Sequence, residues 1–331
     1  MLKCEIEIKE ELQTHLTNAK NKFFGLLKGI DSMVNIKIPK YVYHYTSLDS
    51  FYSMLRTNTI RLYSISHFED KLERKLPFDI EARVKGTIRN KKNGDTYDFA
   101  KTINEILSDD HVFIQSNSTT NNNKYLWENY GDKGKGVCLR LSTEQFIKYI
   151  NENLQDFILL PNYLKCCLIS YDYDWANKFM GIIFSAIQKT NNEMGKIGYF
   201  FLFFFIDYWK NFIKTKEPYS SEKEIRFVVS DNYSLFLFFC SKFTEWGIIN
   251  TKYPKEVSEC FFQEYKKRKS DFYTKLKLEV SDNNKFVTVP FLNILDSITI
   301  GPKSETSKND ISIKSNRQIK KSRIKKIFIT T

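Results

Sequence analysis

The 331-residue chain carries 51 Lys and Arg against 39 Asp and Glu, a surplus of 12 that suits a polyanionic partner such as nucleic acid and equally suits a lysine-rich solvated surface. With 42% hydrophobic and 15% aromatic residues it can bury a sizeable core, and only 12 Gly and 7 Pro argue against a repeat or loop-dominated architecture. Six cysteines without a Cys-x-x-Cys pair, four histidines without ligand spacing and the lack of a signal-peptide pattern point to a reduced, cytoplasmic protein without structural zinc.

In chain order, Leu12, Leu16, Phe23, Phe24, Leu26 and Leu27 fall near one helical face, and Asn35 to Pro39 break the pattern. This predicts an N-terminal helical extension over 1–38, followed by one domain over 39–331. Tyr41 to His44 reads as a strand, and Thr46 or Ser47 can cap the helix whose buried face holds Leu48, Phe51, Tyr52 and Leu55. Asn58 is a left-handed terminator, and Ile60 to Ser64 is the next strand.

Charged helices follow over 81–110, then a strand from His111 to Gln115 and a polar, mobile loop from Ser116 to Lys124. A short helix (Tyr125–Tyr130), a turn (Gly131–Gly136), a strand (Val137–Leu141), a helix (143–153) and a strand (Cys166–Tyr171) come next. Helices fill 174–214, and the apolar run Tyr199–Ile206 within them is far shorter than the roughly 20 residues of a membrane span. A strand over 224–229, helix over 234–268, strands at Lys275–Val280, Phe286–Val289 and Ser297–Gly301, a basic stretch from Arg317 to Lys326 and a last strand at Ile327–Ile329 complete the chain.

The most informative stretch is Ser221-Glu222-Lys223-Glu224-Ile225-Arg226-Phe227. Read as the mouth of a strand, it puts Glu222 and Glu224 on one face about 7 Å apart, with Lys223 on the other. Paired carboxylates beside an apolar run suit the stabilisation of a sugar cation; the plainer alternative is surface charge, with Glu224 paired to Arg226 across one pleat. His44 and Thr46, two apart on one face, can both hydrogen-bond a ribose hydroxyl, or serve only as a buried histidine and a cap. Tyr63, next to Ser64, can stack on a flat ring or simply close its strand. Trp127 and Tyr130 share a helical face and are expected to pack together. Glu69, Asp70 and Glu73 read as a solvated acidic helix start rather than a metal site, and the glycine-rich dinucleotide, Walker, nucleophile-elbow and His-Glu-x-x-His patterns are missing.

Taken in order, Tyr43-His44-Tyr45-Thr46-Ser47, Arg61-Leu62-Tyr63-Ser64 with Phe68-Glu69-Asp70 and Glu73, Leu126-Trp127-Glu128-Asn129-Tyr130-Gly131-Asp132 through Gly136-Val137-Cys138, Ser221 to Arg226, and Ile298 to Pro302 resemble the bacterial domain of unknown function 2971. The resemblance runs over about 40–330, departing where Glu69-Asp70-Lys71 replaces the family's Asn-Asp-Pro and where Ile225 replaces its Trp. The order of His44, Thr46, Tyr63-Ser64 and Glu222/Glu224 also resembles the ADP-ribosyltransferase superfamily. That second resemblance implies an α+β fold with a split, mixed or antiparallel sheet and helical insertions, and an NAD-consuming transferase. His44, Tyr45, Thr46, Tyr63 and Ser64 would then hold NAD, with Tyr63 or Tyr45 on the nicotinamide ring. Glu224 would bond the nicotinamide ribose and steady the oxocarbenium ion, and Glu222 would orient or deprotonate the acceptor. The acceptor stays open: the positive surplus, with Lys320, Lys321, Arg323, Lys325 and Lys326 near the end, fits nucleic acid, and protein is the alternative. The resemblance implies a toxin or phage-defence setting, in which an antitoxin or regulatory partner is expected. The competing expectations are a non-catalytic nucleotide- or nucleic-acid-binding module and, third, a metal nuclease built on Glu69, Asp70 and Glu73.

Overall fold

The computed structural model describes residues 37–65, 112–154, 165–171, 214, 219–245, 251–281, 284–307, 309–311 and 328–330, with 10, 13, 14, 17 and 21 singly. The N-terminal extension, the helices expected over 81–110, those over 174–214 apart from Lys214, the acidic cluster at 69–73 and the basic stretch 317–326 lie outside the described residues.

The chain opens β1 (Tyr41–Thr46), α1 (Leu48–Thr57), β2 (Thr59–Ser64). Ser47 rather than Thr46 caps α1, its hydroxyl accepting from the Ser50 amide, and Phe51 and Leu55 are the residues it buries. Asn58 ends the helix at φ 53°, a conformation that asparagine tolerates better than most side chains. Its Oδ1 then accepts from the Leu292 amide at 2.9 Å, which fixes the start of β2 beside residues far along the chain.

β3 (Val112–Ser118) runs three residues beyond the expected Gln115, so the stretch foreseen as the start of a polar loop is strand. The cause is tertiary: all seven residues pair antiparallel with β6 (Glu224–Ser230), and ladder pairing overrides weak β-propensity. β6 is buried at every position, as befits a strand held between β3 and β5 (Cys166–Leu168). β5 is shorter than the strand expected to reach Tyr171.

After β3 come α2 (Lys124–Asn129), a 3-10 turn at Asp132–Gly134, β4 (Val137–Ser142) and α3 (Thr143–Leu154). Beyond β6 lie α4 (Asn232–Glu245) and α5 (Pro254–Leu276). Helix α5 continues through Lys275, where a strand was expected, and ends at Lys277 with φ 52°. β7 (Glu279–Ser281), β8 (Asn284–Pro290), α6 (Phe291–Ile294), β9 (Leu295–Ile300) and β10 (Phe328–Thr330) follow.

Among the described residues ten strands form one sheet in the order β10-β9-β4-β1-β3-β2-β8-β7, with β6 joined to β3 and β5 to β6. The pairs are antiparallel except β9 with β10, so the protein is α+β with a largely antiparallel sheet. The apolar core packs helices on the sheet; the Phe146 ring of α3 lies flat on Phe227 of β6 at 4.1 Å.

β6 occupies one edge of β3 along its full length, so β1 and β2 must share the other. β1 meets that edge only at Tyr43–Ser118, and β2 only at Tyr63–Ile114 and Ser64–Phe113. Between those points the two strands part and leave a wedge opposite Gln115 to Asn117.

Candidate active site

The wedge opens into a cavity of about 770 Å3, within the about 300–1,000 Å3 typical of small-molecule sites. His44, Tyr45, Thr46, Tyr63, Glu222 and Glu224 all line it. Three distant pieces of chain are therefore gathered around one hollow.

Ser64 is the exception. It is fully buried, stands on the opposite face of β2 from Tyr63 and is not part of the wall, so its expected role in holding NAD is withdrawn.

His44 sits beside the wedge with Nδ1 3.2 Å from the Ser116 carbonyl oxygen. A carbonyl only accepts, so Nδ1 carries the proton and Nε2 keeps its lone pair. Burial lowers the imidazole below its ordinary value, outweighing that bond, and favours the neutral ring. His44 thus lines the cavity with an acceptor retained at Nε2.

Tyr45 is held by its surroundings. Its ring meets Trp127 edge-on at 4.9 Å, and its hydroxyl donates to the Thr120 carbonyl and accepts from the Asn123 amide. Of the two rings expected to stack on a ligand, Tyr45 is therefore engaged elsewhere, whereas Tyr63 is 37% exposed and 5.7 Å from the Phe286 ring. Trp127 therefore packs on Tyr45 rather than on Tyr130 as expected. Tyr130 instead sends its hydroxyl to Glu222 Oε1 at 2.9 Å.

The two carboxylates do not share a strand. Glu222 ends a 3-10 turn at Tyr219–Glu222, Lys223 turns the backbone at φ 47°, and Glu224 begins β6. They converge because Lys214 Nζ lies between them, 3.1 Å from Glu222 Oε2 and 2.9 Å from Glu224 Oε2. Glu224 Oε1 accepts from Arg226 Nε and from Ser116 Oγ, both at 2.6 Å, and Arg226 also reaches Oε2 at 3.4 Å. The plainer alternative, a Glu224–Arg226 pair across one pleat, is thus realised.

The consequence is an anchored carboxylate. Burial alone would push the Glu224 carboxyl up; the Arg226 guanidinium, the Lys214 ammonium and the bonds from Arg226 and Ser116 outweigh it and hold it at about 2. Its lone-pair directions are essentially filled, whereas among the described residues the Glu222 carboxylate accepts two bonds and retains capacity. Glu222, Glu224 and Lys214 line the cavity while Arg226 stands behind, so two cations face two carboxylates at this end of the wall.

Four residues here were not singled out by sequence reasoning: Ser116, Asn117, Gln115 and Lys214. The serine and asparagine read as loop in the sequence, and nothing marks Lys214 among 51 basic residues. Gly136 supports the same wall: a Cβ there would come within 2.2 Å of the Thr46 carbonyl oxygen.

Among the described residues no group of His, Cys, Asp and Glu could hold a metal ion, and no helix is long and apolar enough to cross a membrane. No curated protein and no solved structure matches the chain. Residues 126–227, about a third of the sequence and the part that carries Tyr130, Lys214, Glu222 and Glu224, match a family model. Over that stretch the chain is similar to the family described as protein of unknown function (DUF2971).

Proposed function

We propose that this protein is an NAD-dependent mono-ADP-ribosyltransferase. The observation that carries the reading is the convergence of His44, Tyr63, Glu222 and Glu224 on one cavity of dinucleotide size, opened by the parting of β1 and β2. The resemblance in residue order, the α+β class and the split edge of β3 support it together.

In this reading NAD is the substrate. The Tyr63 ring stacks on nicotinamide, and Thr46 and the neutral His44, through Nε2, hold ribose hydroxyls. The bond from the anomeric carbon to nicotinamide breaks, and its electron pair leaves with the ring. Glu224 stabilises the resulting oxocarbenium ion through its charge rather than through a bond of its own, because its lone pairs are engaged. Glu222, with acceptor capacity left, takes the acceptor's proton as the acceptor's lone pair closes on the anomeric carbon. The acceptor is nucleic acid or protein, with the net charge of +12 favouring nucleic acid, and the biological setting is a toxin or defence effector restrained by a partner.

Incubation with NAD labelled in the adenylate half, together with RNA, DNA or cell protein, tests this: label transfer is expected and is lost in Glu222→Gln. One observation favours a second reading, a nucleotide-binding module without chemistry. The four charges of Lys214, Arg226, Glu222 and Glu224 balance, and Glu224 is saturated. NAD binding without release of nicotinamide would select that reading.

A further inference from the structure

Two carboxamides beside the wedge have unmet hydrogen-bonding capacity. Gln115 is 5% exposed, and neither its Nε2 nor its Oε1 has a partner. Asn117 is 6% exposed; its Nδ2 donates to the Gln115 carbonyl at 3.1 Å, which leaves Oδ1 turned away and unpartnered. Both residues line the cavity. The Tyr43–Ser118 register places them on the same face of β3 as His44 lies on β1, two residues apart along the unpaired part of the edge. Buried polar groups are almost always satisfied, and two neighbouring exceptions on a cavity wall call for an occupant.

The inventory of missing bonds specifies that occupant. Gln115 Oε1 and Asn117 Oδ1 each need a donor, and Gln115 Nε2 needs an acceptor. A ligand group that meets all three has an NH2 adjacent to an acceptor: a primary carboxamide, or the amino edge of adenine with a ring nitrogen. We propose that Gln115 and Asn117 form a recognition pair for such an amide-type edge and determine the specificity of the cavity. The inference deepens the NAD reading and rests on it, since NAD carries one group of each kind.

The test titrates the full chain with two matched pairs of neutral ligands: nicotinamide against 3-acetylpyridine, which keeps the carbonyl but lacks the amino group, and adenosine against inosine. The expected result is a preference of about tenfold or more for the amino-bearing member of one pair, which also says which source supplies the edge. Gln115→Met, close in shape and apolar, should cut that preference to about threefold or less. The same variant should raise the melting temperature, because it removes unpaired polar atoms from a buried position. No preference in the wild type for either pair, an undiminished preference in Gln115→Met or a lowered melting temperature in that variant would overturn the inference. Nicotinamide release from NAD, followed in the same samples, separates the two ideas. Turnover without discrimination sinks the recognition pair alone, and discrimination without turnover sinks the transferase reading alone.

Discussion

Glu224→Gln is the substitution with the clearest quantitative expectation. The change keeps the shape of the side chain and removes its charge. A carboxyl held at about 2 in the fold against 4.5 unfolded corresponds to about 3 kcal/mol of stability at neutral pH. Breaking one partner of a buried ion pair costs about 3–5 kcal/mol, so the two routes to the number agree. The glutamine cannot replace the interaction. Its oxygen can still accept from Ser116 and Arg226, but its NH2 then faces the Lys214 ammonium, donor against donor.

The sign follows from the depressed value. The contribution is complete above pH 4.5 and is lost as pH falls from 4.5 toward 2, because the unfolded chain takes up the proton first. Urea unfolding of the wild type and Glu224→Gln at pH 7, 5, 3.5 and 2.5 measures it. The gap between the two should be about 3 kcal/mol at pH 7 and should close toward pH 2. A gap independent of pH, or none at pH 7, would refute the ion-pair account of this carboxylate.

Three further outcomes are expected. Gly136→Ala should shift Thr46 and weaken ligand binding in the cavity by titration calorimetry, since its Cβ would sit 2.2 Å from the Thr46 carbonyl oxygen; wild-type affinity would show that the wall yields freely. Phe227→Ala should lose about 3–5 kcal/mol in denaturant titration, because the ring is fully buried and stacked on Phe146; a loss under about 1 kcal/mol would mean that the site collapses to fill the space. His44 has a folded-state value lowered from 6.5, so its contribution is full above that pH and lost as pH falls beneath it, and His44→Gln should flatten the stability profile there; an unchanged profile would contradict the half-buried, neutral imidazole.

The sequence made the local framework legible where side-chain chemistry acts on its own neighbourhood. Ser47 and Asn58 bound α1 as capping chemistry requires, and the apolar run Ile225 to Val229 marks β6. It hid what depends on distant pairing. Ser116-Asn117-Ser118 reads as loop because polar residues have weak strand propensity, and only β6 makes it strand. Glu222 and Glu224 were assigned to one strand face by period-two counting, which fails because Lys223 takes a left-handed turn that no local motif announces. Lys214, which joins the two acids, lies in a stretch where the charge pattern gives no cue. The partial overlap of the family match has a related consequence: it spans the carboxylate side of the cavity and leaves out His44, Tyr63 and the amides of β3.

Release of free nicotinamide from NAD, followed by proton NMR in the wild type and in Glu224→Gln, tests the proposed transferase activity. Steady release by the wild type is expected, with a rate lower by about a hundredfold or more in the variant under conditions where both are folded. Equal rates in the two proteins, or intact NAD throughout with the wild type in the presence of nucleic acid and protein acceptors, would contradict it.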